Sequence, residues 1–91
     1  MPYMVTSIEV GDYEQWKEMF DKGRDTVRRS ATGHRILRGV EAPGDLHVQV
    51  EFASSEDALR AREELLASGA LDHVTVKAGP MLVESAEDVA Y

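Results

Sequence analysis

The sequence predicts a single α+β domain whose elements run strand, long helix, strand, strand, helix, strand. Three observations predict it. Along the 91 residues, alternating apolar and polar positions give way to helical spacing twice, in that order. A Pro43-Gly44 pair separates two alternating runs, as in a β-hairpin. Each helical stretch follows a good capping residue, Asp12 in one case and Ser54 or Ser55 in the other. Such an order forms one antiparallel sheet covered by helices on one face, within one domain spanning 1–91. The second face is then left for a partner, so a homodimer is expected, burying roughly 2,000 Å² or more.

The first strand is read from Tyr3 to Val10 and ends at Gly11. Asp12 then caps a helix, with Gln15 three residues on to complete a capping box. Tyr13, Trp16, Phe20, Gly23 and Val27 recur at spacings of three and four and trace one face of that helix, which is expected to reach about Ala31. Its other face offers Lys17–Asp21 and similar charge pairs. Gly33 to Val40 and Leu46 to Ala53 form the hairpin. In its second strand Leu46, Val48, Val50 and Phe52 face a core, and His47, Gln49 and Glu51 face away. In its first strand both faces mix polar and apolar residues. His34, Ile36 and Arg38 oppose Arg35 and Leu37, and the register stays open because a slip of one residue exchanges the two sets.

The second helix carries Ala58, Leu59, Ala61, Leu65 and Leu66 and breaks at Ser68-Gly69. Ala70 to Ala78 is read as a short helix, because Leu71, Val74 and Ala78 are helically spaced and Gly79-Pro80 is a stop signal, although Val74-Thr75-Val76 favours a strand. Met81 to about Glu87 is the last strand, followed by a loose tail.

Composition removes several classes of function. The absence of cysteine excludes disulfides, thiolate metal sites and cysteine nucleophiles. Ten basic against seventeen acidic residues give a net charge of −7, which phosphate backbones repel, and no basic stripe compensates, so no nucleic-acid partner is expected. No apolar run approaches the roughly 20 residues that cross a bilayer, so no membrane association is expected. The N-terminus carries no secretory pattern, and the expected location is the cytoplasm.

Several residues have both a structural and a chemical reading. Arg24, Arg28, Arg29, Arg35 and Arg38 lie within fifteen residues, either as solvated charges paired with nearby acids or as a local site for a carboxylate or phenolate. His34, His47 and His73 lack the spacing of metal ligands, and each is either a hydrogen-bonded surface group or a proton carrier. Trp16 is either core packing or, with Tyr13 and Phe20, the wall of a flat aromatic pocket. No clustered ligand set or glycine-rich phosphate loop is present, so neither a metal nor an organic cofactor is expected.

The chain resembles the dimeric α+β barrel superfamily of ferredoxin-like protomers, and within it the antibiotic-biosynthesis monooxygenase-like and cyclase proteins. The resemblance is carried by Asp12-Tyr13-x-x-Trp16-Lys17-x-x-Phe20-Asp21, Gly33-x-Arg35-x-Leu37-Arg38, Pro43-Gly44-Asp45, Glu51-Phe52-x-Ser54-x-Glu56-Asp57-Ala58 and Gly79-Pro80. It implies two sheets facing each other across a two-fold axis, with a small-molecule pocket between sheet and helices in each protomer. It also implies chemistry such as cofactor-free oxygenation of polyphenols or polyketide cyclisation. The sequence departs from these relatives in carrying none of their catalytic motifs residue by residue, and no histidine sits in a haem-ligand pattern.

Three classes of function follow. The chain is expected to be a cofactor-independent tailoring enzyme for an aromatic or polyketide-like substrate, a non-catalytic small-ligand binder, or a stress-associated accessory dimer. For the first, Tyr13, Trp16 and Phe20 are expected to wall the pocket. His34 would take a proton, Arg38 would hold the developing oxyanion, and His73 is the alternative base.

Overall fold

A computed structural model describes residues 1–91. Its elements are β1 (Pro2–Glu9), α1 (Tyr13–Lys22), β2 (Ala31–Arg38), β3 (Asp45–Phe52), α2 (Ser55–Ser68) and β4 (Thr75–Glu84), with short 3₁₀ turns at Gly23–Asp25 and Ala70–His73. The four strands form one antiparallel sheet in the order β2-β3-β1-β4, so the two central strands are β3 and β1. This is the ferredoxin-like α+β arrangement, βαββαβ, with both helices on one face.

Strict alternation in the central strands builds the core. Met4, Thr6 and Ile8 of β1 pair with Val50, Val48 and Leu46 of β3, and all six are buried. Phe52 closes the row and, like Leu46, is fully buried. Opposite them α2 presents Ala58 and Ala61, whose small side chains let the helix sit close to the sheet. Ser54 caps α2 by accepting from the Asp57 backbone N–H at 3.2 Å, and Gly69 ends it at φ +75°, a left-handed conformation that glycine adopts without strain. Asp12 caps α1 in the same way, accepting from the Gln15 backbone N–H at 3.2 Å. No residue of α1 is fully buried, which separates it from α2.

The register of β2 is now defined. His34, Ile36 and Arg38 pair with Val50, Val48 and Leu46 and therefore lie on the helix-covered face, while Arg35 and Leu37 pair with Gln49 and His47 on the open one.

Two expectations from the sequence are corrected. The first helix ends at Lys22 rather than near Ala31, and β2 begins at Ala31 rather than Gly33. Gly23 caps α1, and the chain then folds back on itself, with the Arg28 backbone N–H donating to the Gly23 carbonyl at 2.9 Å and the Arg28 guanidinium donating to the Phe20 carbonyl. The segment Ala70–Ala78 is not one short helix either. A 3₁₀ turn ends at His73, and Val74, in extended conformation, leads into β4. Gly79-Pro80 thus lies inside a strand. Between the pairs Val5–Met81 and Ser7–Ala78, and again between Ser7–Ala78 and Ile8–Val76, β4 carries one more residue than β1. An edge strand with bulges tolerates a proline that has no N–H to give. Gly79 itself sits at φ +81°, and a Cβ there would press into the Val5 carbonyl oxygen. Gly79→Ala is expected to cost about 1–3 kcal/mol, whereas Gly11→Ala, with nothing within 4 Å of its Cβ position, stays within ~0.5 kcal/mol of the parent. Urea unfolding of both variants checks the difference.

Candidate functional site

Between α1, the C-terminal end of α2 and the sheet lies a cavity of about 320 Å³. Its floor is Met4, Thr6 and Ile8 of β1 with Val48 and Val50 of β3. Trp16, Met19 and Phe20 of α1 form one wall, and Leu65, Leu71 and Val74 close the other side. The lining is mainly apolar, and its polar groups are few: Thr6 on the floor, Ser68, Arg28 and His73. An apolar enclosure with a small number of placed polar groups is the usual form of a small-molecule site.

The aromatic wall follows from helical spacing. Tyr13, Trp16 and Phe20 stand one above another on α1, with ring centroids 5.8 Å apart for the first pair and 5.1 Å for the second, the latter nearly stacked at 28°. The His34 ring meets the edge of Phe20 at 5.0 Å and 75°. Cations stack on this ladder as well. The Arg28 guanidinium lies 3.6 Å from the Phe20 centroid and that of Arg38 lies 4.2 Å from Tyr13.

Of the residues singled out in the sequence, Trp16, Phe20 and His73 line the cavity. Tyr13, His34 and Arg38 do not. Arg38 is exposed and covers Tyr13 at the β2 edge, and His34, also exposed, stands behind Phe20 beside Arg28. His73 is exposed at the rim, where the cavity meets a wider groove along Glu9, Asp12, Glu18 and Asp72.

Arg28 is the residue that local spacing does not single out. It is only 5% exposed, yet it forms no ion pair with any carboxylate. Its hydrogen bonds go to the Phe20 carbonyl and, at 3.5 Å, to His34 Nδ1. Burial pushes its basicity down from the usual arginine range, Asp21 acts in the opposite sense, and Arg24 adds to the lowering. Asp21 itself is engaged by Lys17 at 2.5 Å. The neighbouring arginine behaves quite differently, because Arg29 makes a two-pronged pair with Glu64 at 2.6 and 2.8 Å and ties the turn to α2 at the surface. A guanidinium eight residues beyond Phe20 comes back to its ring only because the helix ends at Lys22. The one sequence signal was membership of the arginine cluster.

Two solved structures share this fold across nearly the whole chain. One, from Bordetella bronchiseptica, is described as a "putative antibiotic biosynthesis monooxygenase"; it matches with a TM-score of 0.66 at 15% identity, covering 97% of each chain. The other, from Deinococcus radiodurans and described in the same words, matches with a TM-score of 0.58 at 10% identity, covering 100% of this chain and 98% of its own. No protein-family model and no curated protein matches the chain. The common ground is the ferredoxin-like α+β fold.

His34 offers a direct probe of the cation–aromatic cluster. Its basicity is lowered first by burial and then by Arg28 and Lys17. Because the folded value lies below the unfolded one near 6.5, the folded state binds fewer protons, and stability is expected to fall as pH drops below about 6.5 toward that lower value. In an NMR titration His34 is expected to titrate below the ordinary imidazole value near 6.5. Arg28→Met should move its midpoint upward.

Proposed function

We propose that this protein is a small-molecule tailoring enzyme, a cofactor-independent monooxygenase or cyclase-like catalyst for an aromatic or polyketide-like substrate. The cavity beneath α1 carries this reading. It is large enough for a small fused-ring compound, its wall is the Trp16–Phe20 stack, and both structural neighbours are described as monooxygenases.

The chemistry asks little of the protein. In an oxygenation of this kind a ring CH₂ conjugated with a ring carbonyl loses a proton, and the resulting enolate-type anion reacts with O₂. One oxygen atom becomes the new C=O, and the other leaves as water with the two hydrogens, so the overall change is R₂CH₂ + O₂ → R₂C=O + H₂O. The protein's part is to hold the ring flat, take the first proton and stabilise the anion. Trp16 and Phe20 suit the first task. His73 at the rim, an imidazole, is the cavity's proton acceptor. His34 and Arg38 lie outside the lining and act only through Phe20 and Tyr13. Against a panel of polycyclic hydroxyaromatics, His73→Ala should lower oxygen consumption by ~10²-fold while His34→Ala changes it only a few-fold. Mass spectrometry with ¹⁸O₂ should place one labelled atom in the product. Binding without any oxygen uptake or rearrangement would remove the enzymatic reading.

The proposal includes a homodimer formed by a second copy on the open sheet face. There Val5, Leu37, Met81 and Val83 stand partly exposed, and among the polar groups Ser7 is paired with His47 at 2.8 Å and Thr32 with Glu51 at 3.0 Å, while Arg35 and Gln49 are left for a partner to meet. The core of a protomer holds only eight buried apolar side chains, which makes burial of this face a large fraction of what stabilises the fold. Sedimentation of the parent chain should show a dimer at micromolar concentration, and Leu37→Glu should shift it toward unfolded or monomeric species. A folded monomer in the parent would overturn the assembly.

A further inference from the structure

We propose that the cavity selects weak acids: its ligand passes the mouth as a neutral aromatic hydroxyl compound and is held inside as the anion, on Arg28. The inference rests on the cavity reading above and adds to it the charge state of the ligand and the residues that choose it.

Two observations carry it. The first is the state of Arg28. Arg28 lines the cavity, is 5% exposed, and has only neutral partners, the Phe20 carbonyl and the His34 ring. The other charged or titratable groups around it are Lys17, Asp21 and Arg24 on its own side and His73 across the cavity. The lone acid among them, Asp21, is bound to Lys17. A buried cation without a counterion is costly, and an anion brought beside it restores what burial removed. A ligand hydroxyl next to this guanidinium therefore ionises more readily than in water.

The second is the mouth. The outer groove, about 690 Å³, shares Trp16, Met19, His73 and Val74 with the cavity, so these four side chains stand where the two meet. Four carboxylates line the groove, Glu9, Asp12, Glu18 and Asp72, against one lysine, Lys22. Lys77 lies 3.2 Å from Glu9 but is shared with Asp45 at 2.9 Å, and Asp12 caps α1, while Glu18 and Asp72 have no ion-pair partner. With a net charge of −7 behind it, the groove repels ligands that arrive already ionised. A carboxylic acid, ionised at neutral pH, is disfavoured at the mouth. A phenol or enol is not, and it loses its proton only where Arg28 can hold the anion.

Three compounds with the same ring test this: nitrobenzene, 4-nitrophenol and 4-nitrobenzoate. Trp16 is the only tryptophan, so quenching of its fluorescence reports occupancy, while the phenolate absorption band reports ionisation. At a pH below the ionisation of free 4-nitrophenol, where 4-nitrobenzoate is already an anion, nitrobenzene and 4-nitrophenol are expected to bind, and bound 4-nitrophenol to ionise about one pH unit or more below the free compound. 4-Nitrobenzoate is expected to enter roughly tenfold or more slowly in stopped-flow quenching. Arg28→Met should abolish the shift. Because Arg28 also supports α1, a second variant, Glu18→Lys with Asp72→Lys on the exposed groove, should speed 4-nitrobenzoate entry several-fold with the fold unchanged. If 4-nitrophenol binds without a shift in its ionisation, or 4-nitrobenzoate enters the parent as fast as 4-nitrophenol, the inference is overturned and the cavity stands. If none of the three binds, the cavity reading falls and takes this inference with it.

Discussion

Everything in this molecule hangs on the antiparallel pairing of β1 with β3, and on the fact that only one face of that pair is covered. The register from Tyr3–Glu51 to Glu9–Asp45 puts Met4, Thr6 and Ile8 against Val50, Val48 and Leu46 without a slip, and the resulting strip receives both helices. The helices differ in what they bring to it. The face of α2 is built on alanines and approaches closely, with Ala58 and Ala61 buried. That of α1 is built on Tyr13, Trp16 and Phe20, whose bulk holds the helix away from the strip so that none of its residues is fully buried. One close helix and one distant helix over a common floor leave a wedge-shaped space, and the cavity lies there.

Arg28 governs how the distant helix is held. Its guanidinium donates to the Phe20 carbonyl near the C-terminus of α1, where a positive charge meets the negative end of the helix dipole, and it also lies against the Phe20 ring. These contacts offset part of the cost of burying a charge, although none of them supplies an anion. The outcome is a wall residue held by three neighbours, Phe20 lying among Trp16, Arg28 and His34. The same contact that shapes the wall leaves cationic character in the lining of the cavity.

The element order, the hairpin, both caps and the clean alternation of β3 were legible in the sequence because each is a local pattern: a period, a turn pair, or a side chain placed next to free N–H groups. The end of α1 was not, because Val27 continued the apolar period past Gly23 and only a tertiary contact, Arg28 returning to Phe20, makes the earlier stop stable. The stretch at 74–80 misled for the opposite reason. Gly79-Pro80 ends a helix in isolation, but on an edge strand the same pair forms a bulge, and whether a strand is at an edge is a property of the whole sheet. For the site, helical spacing brought Tyr13, Trp16 and Phe20 together, yet spacing alone could not say that Tyr13 lies toward Arg38 and outside the cavity. His34 and Arg38 do share a strand face, as alternation requires. Which objects that face meets depends on where α1 sits, and a one-dimensional pattern holds no such information.

The two faces of the sheet cannot be independent. Along β1 the floor of the cavity, Met4, Thr6 and Ile8, alternates with Tyr3, Val5 and Ser7 on the open face. A change in the path of this strand therefore moves both sets together, in opposite directions. The bulges of β4 lie beside Val5, Ser7 and Ile8, where the pairing on that edge is already irregular, while β3 holds the same strand in unbroken register on the other. Whatever packs on Val5 and Met81 thus presses on a strand that is rigidly paired on one side and compliant on the other. Thr6, the polar group of the cavity floor, lies between the two residues of β1 that bracket the first bulge, Val5 and Ser7. A covered open face would hold that floor still, and a ring lying on it against Trp16 needs a fixed surface if its reacting carbon is to stay in place.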